Sequence, residues 1–238
     1  MFGRRKAVIT APEAPEPVQP SGMVSLRKEA AHSLKKHGVE VDGTGGVAVY
    51  LVLDHSWSMD HHYAAGSVQR ITDQVLALAV EVDDDGKVPV FYFASGTNKP
   101  KTVSLANYQG FVDSTHTKVP WGGTDYADAI RTVAAYHRKH GGGQPGLVVF
   151  QTDGSPDSRP AAIEALQEVS GHDLFFAFVG FGPKYAVDFL FELDKIEGRV
   201  RDNASAFHAA DPQRVKDSDL YDGVLGEFTE EWLPQVLS

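Results

Sequence analysis

The chain contains no cysteine, and that one absence removes several chemistries together: a disulfide framework, a thiolate metal site and a cysteine nucleophile. No apolar run approaches the roughly 20 residues that a membrane-crossing helix requires. The basic start Met1–Lys6 leads into a Pro/Glu stretch rather than an apolar signal core. Excess positive charge is missing as well. Lysine and arginine number 22 against 32 aspartates and glutamates, a formal charge of −10, which argues against a protein that must neutralise nucleic-acid phosphates. What is there is an ordinary folded composition, 238 residues of which 42% are hydrophobic and 23% charged, enough for one well-buried core. The expectation is a soluble, cytoplasmic, acidic protein that holds any metal through oxygen or histidine.

Residues 11–20 read APEAPEPVQP, with proline at every second or third position, so residues 1–22 are expected to be a disordered, Pro/Glu-rich leader. Residues 23–238 are expected to form a single domain, with an N-terminal helix and a C-terminal helical extension. Leu26, Ala30 and Leu34 form one stripe over Val24–Lys36, which predicts a helix capped by Ser25 and ended by a left-handed Gly38. Val47–Leu53 (VAVYLVL), Val88–Phe93, Leu147–Gln151 and Leu174–Phe181 (LFFAFVGF) are continuous apolar runs, the pattern of strands buried on both faces. Shorter strands are expected near Thr102–Leu105 and Ala204–Ala209. Helical periodicity lies between them: after Ser67, over Thr124–His140, over Ser158–Ser170 with Pro160 in the first turn, and over Tyr185–Leu193. Leu220, Val224, Phe228 and Trp232 then mark a last helix. The alternation predicts a doubly wound, mostly parallel α/β sheet of about six strands with helices on both faces.

In such a sheet ligands bind beyond the carboxyl ends of the strands. Three segments fall there: Asp54-His55-Ser56-Trp57-Ser58, Trp121-Gly122-Gly123-Thr124-Asp125 and Thr152-Asp153-Gly154-Ser155. Alternate positions of an extended turn point the same way, which gathers a carboxylate and two hydroxyls from Asp54, Ser56 and Ser58. Thr124 adds a hydroxyl and Asp153 a second carboxylate. This set suits a small hard cation, Mg²⁺ first, with Ca²⁺ or Mn²⁺ also accommodated.

These same motifs resemble the metal-ion-dependent adhesion site of von Willebrand factor A (vWA) domains. The residues are Leu51-Val52-Leu53-Asp54-x-Ser56-x-Ser58-Met59, Gly122-Gly123-Thr124 and Phe150-x-Thr152-Asp153-Gly154. Further features are similar to the bacterial TerF-type tellurium-resistance branch, among them Asp83-Asp84-Asp85-Gly86, Phe178-Val179-Gly180-x-Gly182, Asp202-Asn203-Ala204 and Asp219-Leu220-Tyr221. The resemblance runs from Ser25 to Leu233. It implies a metal site of Asp54, Ser56, Ser58, Thr124 and Asp153, and a non-catalytic module that binds an acidic group of a partner protein in a bacterial tellurite-resistance or stress-response complex. Trp57 stands where glycine is common in that family and His55 where an apolar residue is common. His55, Trp57, Trp121 and Asp125 are the candidate partner contacts, with Trp57 and Trp121 reading equally as local packing.

The rival reading is a Mg-dependent hydrolase or phosphoryl-transfer enzyme, since a buried strand ending in aspartate also opens phosphatases of the haloacid-dehalogenase type. Those, by resemblance, need a second aspartate two residues on, where this chain has Ser56. Elsewhere the plainer readings are favoured. Asp83–Gly86 lacks a calcium loop and reads as a turn. His61-His62 lie on what reads as an extended loop, with rings on opposite sides and no third ligand in evident spacing. His137 and His140 read as cations complementing a helix dipole. Gly141–Gly143 and Gly180-x-Gly182 read as turns.

Overall fold

The structure, a computed structural model, describes residues 21–39, 46–83 and 85–238. The apolar runs are strands: β1 (Ala48–Asp54), β2 (Lys87–Phe93), β3 (Lys101–Ser104), β4 (Gly146–Thr152), β5 (Leu174–Phe181) and β6 (Ala204–Ala209). They form one sheet in the order β3-β2-β1-β4-β5-β6. All neighbours are parallel except β2 and β3. The doubly wound arrangement expected from the sequence is therefore the one observed. Alternation along β1 shows why its run is uninterrupted: Val49, Leu51 and Leu53 enter the core on one face, while Tyr50 and Val52 enter the core on the other.

Helices cover both faces. α1 (Ser21–Lys36), α2 (Asp60–Ala64), α3 (Ser67–Val82) and α4 (Phe111–His116) lie on the first face, where α1 packs on α3. α5 (Tyr126–His140), α6 (Arg159–Val169) and α7 (Lys184–Leu193) cover the second. α8 (Asp217–Glu227) returns to the first face beside α1. It continues through a π-helical turn, Phe228–Trp232, into α9 (Leu233–Leu237).

Several boundaries differ from expectation. α1 starts at Ser21, so Ser25 lies inside it rather than at its cap; the left-handed Gly38 (φ 76°) follows its end as expected. The leader expected over residues 1–22 lies outside the described residues, apart from the two that open α1. Asp83 and Gly86 do turn the chain into β2, with Gly86 left-handed at φ 56°; Asp84 between them lies outside the described residues. α2 and α4 were not anticipated, because each is too short to show a period.

The chain winds away from β1 in both directions, through β2 on one side and β4 on the other. The switch point therefore lies between the carboxyl ends of β1 and β4, where two neighbouring parallel strands feed diverging connections and leave a crevice. Asp54 ends β1 and Thr152 ends β4.

Candidate metal centre

Asp54 has no solvent exposure, yet both of its oxygens are engaged. The Ser56 amide donates to Oδ1 at 2.7 Å, and the Thr152 hydroxyl donates to Oδ2 at 2.6 Å. Burial pushes this carboxyl up to about 7, although the Thr152 and Ser56 hydrogen bonds oppose the shift. The next links follow from the tight 3-10 turn Trp57–Met59, which folds Ser58 back beside Ser56. The two Oγ atoms lie 3.1 Å apart, and Ser58 Oγ donates to Asp153 Oδ1 at 2.7 Å. Four of the five expected ligands thus form a continuous polar string from the end of β1 to the loop after β4.

The fifth, Thr124, reaches the same edge through its backbone. A parallel bridge joins Ser56 to Gly122, tying the first loop to the second. Glycine is needed there: a Cβ on Gly122 would sit 2.8 Å from Ser95 Oγ, and one on Gly123 would run into the Asp157 carboxylate. Asp157 accepts from the Thr124 amide at 2.9 Å and so holds this loop from across the crevice. Asp125 is the N-cap of α5 and accepts from the Asp128 amide at 3.0 Å. The helix expected over Thr124–His140 therefore begins two residues later, at Tyr126, and the Asp125 carboxylate already has a structural task as its cap.

An aromatic cluster flanks the string. Trp57 is 70% exposed. Its ring lies 6.0 Å from that of Trp121, the planes 24° apart, and Trp121 stacks on His55 at 3.8 Å. His55 itself is fully buried, and burial lowers it to about 4, so it is neutral. Its Nδ1 is 3.3 Å from the Pro120 carbonyl and its Nε2 3.3 Å from His116 Nδ1. A surface role for His55 is corrected accordingly: it supports Trp121 from beneath.

Two other histidine readings change. His61 and His62 lie on α2, not on an extended loop; their rings are 3.9 Å apart, and His62 is 7% exposed. His137 is buried with Nδ1 2.9 Å from the Tyr50 hydroxyl, and burial lowers its pKa, so it is a neutral packing partner rather than a cation at a helix end. Sequence reasoning missed the residues that hold the string in place. Thr152 and Tyr63 both bond Asp54, the latter donating to its carbonyl at 2.9 Å, and Tyr126 donates to Thr152 Oγ1 at 3.1 Å. Only Thr152 had a signal, its place at a strand end beside Asp153.

The donor set fits a small divalent cation. An octahedral ion with bonds of 2.0–2.1 Å separates adjacent oxygens by about 2.9 Å. The Ser56–Ser58 and Ser58–Asp153 separations, 3.1 and 2.7 Å, bracket that value. Two aspartates balance the ion's charge, and the hydroxyls add none.

Residues 46–237 match the family described as the vWA found in the TerF C terminus. A Bacillus subtilis (strain 168) protein, YcbR, is 32% identical over 193 residues, which covers 79% of this chain and 78% of YcbR. Among solved structures, a von Willebrand factor type A protein from Catenulispora acidiphila superposes with a TM-score of 0.55 at 14% identity, over 79% of this chain. The match spans only 43% of that longer chain. The manganese-loaded TRAP protein of Plasmodium vivax superposes with a TM-score of 0.50 at 19% identity, over 68% of each chain. At these identities the two structures speak for the fold. The match over residues 46–237 settles the family: the chain belongs to the vWA-TerF-like domains.

Proposed function

We propose that this vWA-TerF-like protein is a non-catalytic, metal-dependent binding module. A divalent cation, Mg²⁺ before Ca²⁺ or Mn²⁺, is held by Asp54, Ser56, Ser58, Thr124 and Asp153 and takes a carboxylate from a partner protein. The observation that carries this reading is the polar string Asp54–Ser56–Ser58–Asp153 at the switch point of the sheet. Such an ion keeps part of its shell for water, and an acidic side chain can replace that water. Trp57, exposed beside the string, supplies a large apolar contact of the kind that dominates small interfaces.

The enzyme reading draws less support. Both Asp54 oxygens already accept hydrogen bonds, which suits a fixed ligand better than an attacking nucleophile, and Ser56 stands where a second carboxylate would be needed. The setting we favour is a cytoplasmic bacterial complex of the tellurite-resistance or stress-response kind, with partners among other proteins of a tellurium-resistance cluster; the family's link to TerF supports it. No described helix is long and apolar enough to cross a membrane.

The test is partner capture from a bacterial lysate with Mg²⁺ or with EDTA, using Asp54→Ala as control. Capture that needs Mg²⁺ and an intact Asp54 is the expected result. The same proteins recovered in EDTA would overturn the reading.

A further inference from the structure

His61, His62 and Asp153 each offer a ligand atom, and the three atoms lie within 4.8 Å of one another. The geometry points to a second metal site at this place, one that takes Zn²⁺ or a similar borderline cation and shares Asp153 with the oxygen site.

The two imidazoles are set up differently and in complementary ways. His61 Nδ1 is 2.8 Å from the Ser58 carbonyl. A carbonyl only accepts, so Nδ1 carries the proton and Nε2 keeps its lone pair, the arrangement by which an outer hydrogen bond fixes a metal-binding histidine. His62 is buried with its ring 5.2 Å from that of Phe181, which limits the positions the ring can take. Asp153 gives Oδ1 to the Ser58 hydroxyl, and its carboxylate has a second oxygen. Two imidazoles and a carboxylate with a fourth position open form a recurring zinc donor set. Tetrahedral bonds of 2.0–2.1 Å place ligand atoms about 3.3 Å apart. Closing the site therefore asks for shifts of up to about 1.5 Å, shared between small rotations of the exposed His61 and the half-buried Asp153 side chains.

Donor chemistry separates the two sites. The string from Asp54 to Asp153 offers only oxygens, which suit Mg²⁺; the α2 histidines add nitrogen, which Mg²⁺ disfavours and Zn²⁺ prefers. Asp153 stands between them, so it bridges two ions when both are bound. The site does not depend on the partner-binding role proposed above.

The experiment titrates Zn²⁺ into the chelator-treated full chain in excess Mg²⁺, by calorimetry, for wild type, His61→Ala and Asp54→Ala. Wild type binds Zn²⁺. His61→Ala, a change at an exposed side chain, weakens Zn²⁺ at least tenfold and leaves the Mg²⁺-dependent thermal shift unchanged. Asp54→Ala keeps Zn²⁺ within about threefold while losing the Mg²⁺ shift. Thr124→Ala provides the same separation without disturbing a buried carboxylate. X-ray absorption at the zinc edge of either oxygen-site variant shows imidazole scattering. Zn²⁺ affinity untouched by His61→Ala, or lost along with the Mg²⁺ shift in both oxygen-site variants, or an oxygen-only zinc shell would each overturn the second site.

Discussion

Thr152 donates its hydroxyl to Asp54 Oδ2 at 2.6 Å, joining the last residues of two adjacent parallel strands. Removing that donor leaves a buried carboxylate oxygen unpaired at the point from which the rest of the string is aimed. Thr152→Val is expected to weaken Mg²⁺ or Mn²⁺ binding about 10- to 100-fold, the range found for partners that orient a ligand. Calorimetry on the folded variant checks this; unchanged affinity would show that Asp54 needs no such support.

Metal binding should release a proton. The Asp54 carboxyl, raised to about 7 by burial, must ionise before it ligates. Below that pH the apparent Mg²⁺ affinity is expected to fall about tenfold per unit, and above it to level off. The sign for stability is opposite when metal is withheld. A carboxyl whose folded pKa exceeds its unfolded one stabilises the fold at low pH and loses that contribution as pH rises through about 7. Melting temperatures in EDTA at pH 5 and pH 8, then with Mg²⁺ restored, read both effects.

Asp73 provides a control away from the metal. On α3 it accepts from Gln69 Nε2 at 2.7 Å, and burial raises it to about 6. Its ionised form therefore costs stability above pH 6 and nothing near pH 4. Asp73→Asn is expected to stabilise the protein by about 1 kcal/mol at pH 8, a value discounted because the group keeps some solvent, and to have little effect at pH 4. Denaturant melts at the two pH values measure the difference.

Trp57→Ala is expected to leave stability within about 0.5 kcal/mol, because the side chain is 70% exposed, and to lower partner affinity by tenfold or more. Trp121→Ala should affect both, since Trp121 stacks on His55 as well as facing Trp57. Equal capture by Trp57→Ala and wild type would remove the aromatic contact from the proposed interface.

The strands and the three loops were legible because both are written locally: unbroken apolar runs for β1, β4 and β5, and polar residues directly after them. What was not legible depends on contacts distant in sequence or on very short elements. His61 and His62 looked like loop residues because α2 has only five residues, and their relation to Asp153 exists only through the pairing of β1 with β4. Thr124 and Asp125 are both good caps, and the choice between them follows from the Asp128 amide. The terminal helix shows a subtler effect. Residues four apart on an α-helix advance about 40° past a full turn at each step. Leu220, Val224, Phe228 and Trp232 would drift off one stripe, but the wider π turn at Phe228–Trp232 rotates less per residue and keeps Trp232 against Phe228 and Phe175.

The placement of the three tryptophans carries a practical consequence. Trp232 is sealed among phenylalanines, whereas Trp57 and Trp121 flank the polar string. Indole emission responds to nearby charge and to water, so the protein is its own optical gauge: a steady signal from one ring, and from the other two a signal that changes when an ion or a partner arrives. Occupancy can be followed in real time with no label attached.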